Sequence, residues 1–263
     1  MNLFEALFLG IIQGLTEFLP VSSSGHLELG KHLFGIDPET NFYFSVAVHG
    51  ATLLSTLIVF RHDIIRLFKG LKTPGANAEK LYFCKIIMSM IPVGIAGLFM
   101  FKLISIFYNG NLILLSAAFL VTALLLTLTV FIKPKERSVT FRDAFVIGLA
   151  QALAVLPGIS RSGATIATGM MLGNRKEELP KFSFLMVIIP IAGANFIELF
   201  SGNFTTEGTY ITGIITGFLA AFISGYLACR WMVDLVKKGK LVWFAVYVTL
   251  VGLFTLLLGL HVI

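Results

Sequence analysis

Two polar segments hold most of the residues in this chain that are able to do chemistry. Residues 13–26 read QGLTEFLPVSSSGH and residues 151–165 read QALAVLPGISRSGAT. In each, a Gln stands twelve positions before the Gly of a Ser-Gly pair, with a Pro between, and the two Gln are offset by 138 positions, about half the chain. Gln13 and Glu17 are spaced to share one helix face. Pro20 ends that helix, and Ser22, Ser23, Ser24 and Gly25 open a second one, with His26 in its first turn. The second segment repeats the device with Gly158, Ser160, Arg161, Ser162, Gly163 and Thr165. Serine is a favoured N-cap, a helix N-terminus offers free N–H groups to an anion, and Gly lets backbone approach a ligand closely. Arg161 adds a planar cationic fork that suits phosphate. The combination of one carboxylate, one imidazole, one guanidinium and several hydroxyls suits a multiply charged phosphate or diphosphate. A carboxylate beside such an anion calls for a divalent cation, and Mg²⁺ favours one or two carboxylates plus phosphate oxygens. Ser or His is available as nucleophile and His as proton carrier, while Arg161 and a metal would stabilise the transferring phosphoryl group.

The same residues have structural readings. Gln13 and Gln151 also suit hydrogen bonding between helices. The serines also serve as caps, and Glu17 with Arg161 also makes an ion pair between the two segments. His49 reads as a packing or supporting residue. His32, His62 and His261 lie near span ends without a motif. Glu28, Glu198 and Asn195 are isolated polar residues in apolar surroundings. Cys84 and Cys229 have no metal-type spacing and read as packing residues.

The surrounding elements must hold these groups inside a membrane. The chain is 57% hydrophobic and 13% charged, with a mean hydropathy of +0.90, where a soluble domain is nearer a quarter charged. Glu5 and Glu17 interrupt the first apolar run, and no basic segment precedes it, so it does not read as a signal peptide. Runs long enough to cross a bilayer fall at about 42–60, 82–101, 111–132, 182–200, 211–231 and 241–261. Residues 4–34 and 143–173 are broken by Pro20 and by Pro157-Gly158, and each half is too short to span. Each reads as a re-entrant helical hairpin whose irregular tip is tolerated at depth only inside protein or a watery cavity. The expected fold is an all-α integral membrane protein, a single membrane domain over 1–263, with six transmembrane helices and two re-entrant hairpins.

Charge orients this arrangement. Segments 61–81, 133–142, 173–181 and 230–240 hold sixteen of the twenty Lys and Arg residues, whereas 35–41, 102–110 and 201–210 hold only Lys102. The positive-inside bias places the four basic segments in the cytoplasm and both termini outside. The +6 net charge is explained by topology and is no sign of nucleic-acid binding. A hairpin plus three spans makes each half odd, so repeat two (136–263) is inverted relative to repeat one (1–135). Inverted repeats with broken helices meeting near the midplane are common in secondary transporters, and the two tips are expected to converge on one site.

At these residues the chain resembles the undecaprenyl-diphosphatase family, membrane phosphatases linked with bacitracin resistance. Gln13, Glu17 and Pro20-Val21-Ser22-Ser23-Ser24-Gly25-His26 match its first signature. Pro157, Gly158, Ser160, Arg161, Ser162 and Thr165 match its second. The resemblance covers essentially the whole chain. It implies hydrolysis of undecaprenyl diphosphate to undecaprenyl phosphate and inorganic phosphate, recycling the lipid carrier of peptidoglycan and other envelope polymers. It implies Mg²⁺ or Ca²⁺ as cofactor, the plasma membrane as location, a site open to the outer face, and a homodimer. By position, Glu17 assists metal binding or catalysis, Ser23 is the nucleophile, and His26 is an acid/base or alternative nucleophile. Arg161 clamps the diphosphate, with Ser160, Ser162 and Thr165 lining the phosphate pocket. Gln13 stands where many members carry Glu, which removes one charge from the metal site. The alternative reading is a transporter or flippase of polyprenyl phosphate, alone or combined with hydrolysis.

Overall fold

Large apolar side chains cover the outside of this molecule and small ones line its contacts. The long helix Ile211–Lys237 shows both faces. Ile215, Leu219, Ile223, Leu227 and Trp231 recur every fourth residue, each more than half exposed, while Gly213, Gly217, Ala221 and Gly225 form a buried stripe. An apolar exterior of this extent needs lipid as its solvent.

The computed structural model describes residues 1–36, 42–99, 111–132, 137–201 and 211–261. Most of the three basic-poor loops, Lys102, Lys133, Lys135 and the side chain of Glu198 lie outside the described residues. Twelve α-helices are described. They are α1 (Leu3–Phe18), α2 (Ser23–Phe34), α3 (Phe42–Val59), α4 (Arg61–Lys72), α5 (Ala78–Phe99) and α6 (Leu112–Leu128) in the first half. The second half holds α7 (Phe141–Leu153), α8 (Arg161–Met171), α9 (Leu179–Met186), α10 (Ile188–Ser201), α11 (Ile211–Lys237) and α12 (Val242–Gly259). Five helical stretches are long and apolar enough to cross a membrane, and a bent pair makes a sixth.

Two expectations are refined. Residues 61–72 form helix α4 rather than loop, bent 70° from α3. The span expected over 182–200 is divided at Val187 into α9 and α10. Pro190 supplies the reason, since it has no N–H and crowds the carbonyl four residues back, at Met186.

The two broken stretches are where the sequence places them. Asn2 caps α1 in a reciprocal box with Glu5, so Glu5 is a capping residue. Leu19, which precedes Pro20, is extended (ψ 147°) and closes α1. The chain turns and α2 runs back along α1, with the rings of Phe8 and Phe34 5.5 Å apart at the open end. Thr140 and Asp143 box the start of α7. Arg137 donates to Asp143 (2.8 Å) and to the Leu172 carbonyl (2.8 Å), which clasps the open end of the α7–α8 pair.

Packing crosses between the halves. Helix α1 packs on α11, and α7 packs on α5; α6 pairs with α12, and α3 lies against both α10 and α11. Gly10 and Gly148 keep the 138-position offset of the two Gln. A Cβ at Gly10 would fall 2.5 Å from the Gly217 carbonyl oxygen on α11, and one at Gly148 would strike the backbone of Ser89 on α5. Both helices therefore seat backbone against backbone, the usual role of small residues between membrane helices.

Candidate functional site

The two tips meet. A Cβ on Gly25 would lie 2.9 Å from the Gly158 Cα, and one on Gly163 would lie 3.3 Å from the Pro20 Cβ. Gly158 has φ +91°, and a Cβ there would also press on Ala118 (2.6 Å). Glycine is thus required at Gly158 both for its dihedral and for its fit against α6. The Ser162 hydroxyl donates to the Leu19 carbonyl (3.1 Å), tying the second tip to the first.

Glu17 stands at the junction. It is 8% exposed on the last turn of α1. Its Oε2 accepts from Gln13 Nε2 (3.0 Å) and from Ser23 Oγ (2.5 Å), and its Oε1 accepts from Arg161 Nη2. A buried carboxylate needs such partners to stay ionised. Sequence spacing brings Gln13 to Glu17 within one helix, whereas only the fold brings Arg161, 144 positions away. The contact is the ion pair between the two segments that the structural reading expects.

The hydroxyls divide into supports and site groups. Ser22 caps α2 by accepting from the Gly25 amide (3.3 Å) and does so at φ +71°, an uncommon conformation for serine. Ser24 Oγ lies 3.5 Å from Ser22 Oγ. Ser160 caps α8 by accepting from the Gly163 amide (3.1 Å), and its own Oγ is 3.3 Å from that of Ser162. Thr165 donates to the Arg161 carbonyl (2.8 Å) and lies 2.6 Å from Ser183 Oγ. Ser22, Ser160, Ser162 and Thr165 are buried, while Ser23, Ser24 and Arg161 are partly exposed. A cleft bordered by Glu17, Arg161, Ser162, Thr52, Thr56 and Ser183 opens at the junction.

His26 is buried on α2, but its hydrogen bonds do not go to Ser23. Its Nδ1 lies 2.8 Å from the Ser22 carbonyl and its Nε2 2.9 Å from the Tyr247 hydroxyl on α12. His49 on α3 lies within electrostatic range of Glu17 and donates from Nδ1 to the Ser45 carbonyl (2.8 Å), so it borders the site more closely than its motif-free sequence suggests. Glu28 pairs with Lys31 (3.2 Å) within α2. The two Gln are both buried, yet among the described residues neither bonds to another helix. Gln13 bonds within α1, and both polar atoms of Gln151 lack a hydrogen-bond partner among the described residues.

Four participants had no sequence signal. Thr122 on α6 donates to the Gly158 carbonyl (3.0 Å) and accepts from the Ser160 amide (2.9 Å), so it holds the second tip. Ser183, Thr52 and Thr56 line the cleft. Hydroxyls in apolar helices commonly bond their own backbone, so their types alone do not separate them from ordinary membrane-helix residues.

Among the described residues no three His, Cys, Asp or Glu side chains cluster as a metal cage. A cation shared with substrate needs fewer ligands. Gln13 Oε1 is buried beside Glu17 without a partner among the described residues, and there Glu17 Oε1 carries only the Arg161 bond. A carboxylate and an amide carbonyl are the donor types that suit a hard divalent cation completed by phosphate oxygens.

Residues 6–254 match the family described as bacitracin resistance protein BacA. A Bacteroides fragilis protein named undecaprenyl-diphosphatase is 48% identical over 266 residues, covering 98% of this chain and 99% of its own. One of the same name from Christiangramia forsetii is 50% identical over 255 residues, covering 96% and 97%. Undecaprenyl-diphosphatase 1 of Bacillus cereus is 35% identical over 260 residues, covering 95% and 96%. With both tips joined at Glu17 and Arg161 and with near-complete coverage in each comparison, the chain belongs to the bacitracin resistance protein BacA family.

Proposed function

We propose that this protein hydrolyses undecaprenyl diphosphate to undecaprenyl phosphate and inorganic phosphate at the junction of its two tips. The observation that carries the reading is the Ser23 hydroxyl on Glu17 Oε2, with Arg161 on the opposite oxygen. A hydroxyl bonded to a buried carboxylate is an activated nucleophile in waiting. Ser23 Oγ attacks the terminal phosphorus and passes its proton to Glu17. The bond from that phosphorus to the bridging oxygen breaks, and lipid monophosphate leaves. Water then cleaves the phosphoserine and releases phosphate. Arg161 neutralises charge on the transferring group, and the first-turn amides of α2 and α8 add dipoles that need no rearrangement. Ser160, Ser162, Ser24 and Thr165 shape the phosphate pocket with Gly25, Gly158 and Gly163. Glu17 and Gln13 are the residues that would hold Mg²⁺ or Ca²⁺, which would supply Lewis-acid stabilisation of the phosphate oxygens.

The architecture we infer is an inverted repeat with two re-entrant hairpins in the plasma membrane. Both termini and the active-site mouth lie outside. The reciprocal packing of α1 on α11 and α7 on α5 supports it, because each hairpin uses the corresponding helix of the other half. We expect a homodimer, which light scattering of the purified protein tests.

The deciding experiment is phosphate release from undecaprenyl diphosphate by purified protein in detergent, with Mg²⁺, with Ca²⁺ and with chelator, alongside Arg161→Ala. We expect metal-dependent release that is lost in the variant. A folded wild type that releases none would overturn the reading in favour of transport alone, since detergent has no second compartment.

A further inference from the structure

We propose that Tyr247 is a positioning residue that holds His26, and through it the backbone beneath Ser23, in the reactive arrangement. This rests on the phosphatase reading of the Glu17–Ser23 site. Tyr247 lies on α12, 221 positions from His26, outside both polar segments.

The hydrogen-bond chemistry fixes the imidazole. His26 Nδ1 faces the Ser22 carbonyl at 2.8 Å. A carbonyl only accepts, so Nδ1 carries the proton. In the neutral ring Nε2 is then an acceptor, and the hydroxyl 2.9 Å away belongs to Tyr247, which donates. The edge of the ring packs against Phe119 on α6, with centroids 5.2 Å apart at 81°. Three helices therefore grip one side chain. His26 is 8% exposed, whereas Tyr247 is 44% exposed, so the tyrosine reaches inward from the lipid-facing surface to close the last open valence of a buried ring.

The carbonyl that His26 holds is the one at Ser22, where φ is +71°. That unusual dihedral sets the direction in which the next residue, Ser23, leaves the turn, and Ser23 Oγ reaches Glu17 at 2.5 Å. The chain of support runs from Tyr247 hydroxyl to His26 Nε2, from His26 Nδ1–H to Ser22 oxygen, and from the Ser22 backbone to Ser23. Without the tyrosine hydroxyl, Nε2 is a buried acceptor left unpaired, which favours ring rotation or the other tautomer and leaves the Ser22 carbonyl held only by the His26 backbone N–H (3.1 Å). Substrate contacts at Arg161 and the second tip are untouched.

Three readouts on the full-length protein test this. Tyr247→Phe keeps the ring and removes only the hydroxyl. We expect kcat to fall about tenfold with KM unchanged, the loss of one buried hydrogen bond expressed in the transition state. The same substitution in a His26→Ala background should produce no further fall, because the residue it positions is gone. In nanodiscs, ¹⁵N-histidine NMR should report the Nδ1–H tautomer for His26 in wild type and a shift away from it in Tyr247→Phe. An unchanged kcat, an equal loss in both backgrounds, or a tautomer indifferent to Tyr247 would overturn the proposal. Failure of the phosphatase reading is separate: wild type would release no phosphate, while the NMR comparison would still report on the Tyr247–His26 bond.

Discussion

At the scale of single residues, the site is organised by one carboxylate with three donors. Gln13, Ser23 and Arg161 all point hydrogens at Glu17, so its charge is what holds them in common orientation. Glu17→Gln keeps the size and removes that charge. We expect phosphate release to drop about 10²- to 10³-fold, the range for loss of a positioned catalytic group, in protein that still elutes as a single species. Retention of near wild-type turnover would exclude Glu17 as the proton acceptor. Ser22 offers a backbone test at the same scale. It has a positive φ and caps α2. Glycine tolerates that dihedral and is a weak but acceptable N-cap, whereas alanine is neither. Ser22→Ala should therefore lower stability by about 1 kcal/mol or more and Ser22→Gly by only a few tenths, measured by thermal unfolding in detergent. An alanine variant as stable as the glycine variant would remove backbone strain from the account.

At the scale of elements, Glu17 and its partners are placed by how closely helices approach. A Cβ at Gly14 would sit 2.5 Å from the Ala221 carbonyl oxygen and 2.7 Å from the Gly225 amide, so α1 and α11 touch along their backbones. Gly14→Leu should push α1 away and carry Glu17 with it. Overpacking of this kind costs about 1–3 kcal/mol or more, and we expect a lower unfolding temperature together with lost activity. Leu253 on α12 is exposed to lipid and lies away from this seat; Leu253→Ala serves as the control and should change neither property. Normal activity in Gly14→Leu would show that the α1–α11 seat does not set the position of Glu17.

At the scale of the whole molecule, charge and packing make a joint claim about orientation. If the hairpins enter from opposite faces, the basic segments share one side and the two ends of the chain the other. With Cys84 and Cys229 replaced by Ala, single cysteines at Asn2 and His261 should react with a membrane-impermeant maleimide added to intact cells. Cysteines at Lys72 and Lys238 should react only after the membrane is opened. Labelling of Lys72→Cys from outside would reverse the orientation, and opposite behaviour of Asn2 and His261 would break the inverted repeat.

Much of this was present in the chain alone. Membrane character follows from composition, because a sequence so poor in charge has too little polar surface to face water. The broken stretches follow from Pro20 and from Pro157-Gly158, since local backbone restriction acts without any partner. The pairing of Gln13 with Glu17 follows from helical spacing, and the serine caps follow from residue type. The tertiary structure decided the rest. Arg161 meets Glu17, Thr122 braces the second tip, and Tyr247 closes on His26 only because helices far apart in sequence lie side by side. Such contacts leave no local pattern, as a threonine or tyrosine in an apolar helix reads the same whether it faces lipid, backbone or a catalytic group. The division of the fourth span at Val187 belongs with the broken stretches, since Pro190 is a local restriction of the same sort. The bend between α3 and α4 is of the tertiary kind: it depends on what neighbouring helices supply to the carbonyls that lose a partner, and packing settles that balance beyond the reach of sequence periodicity.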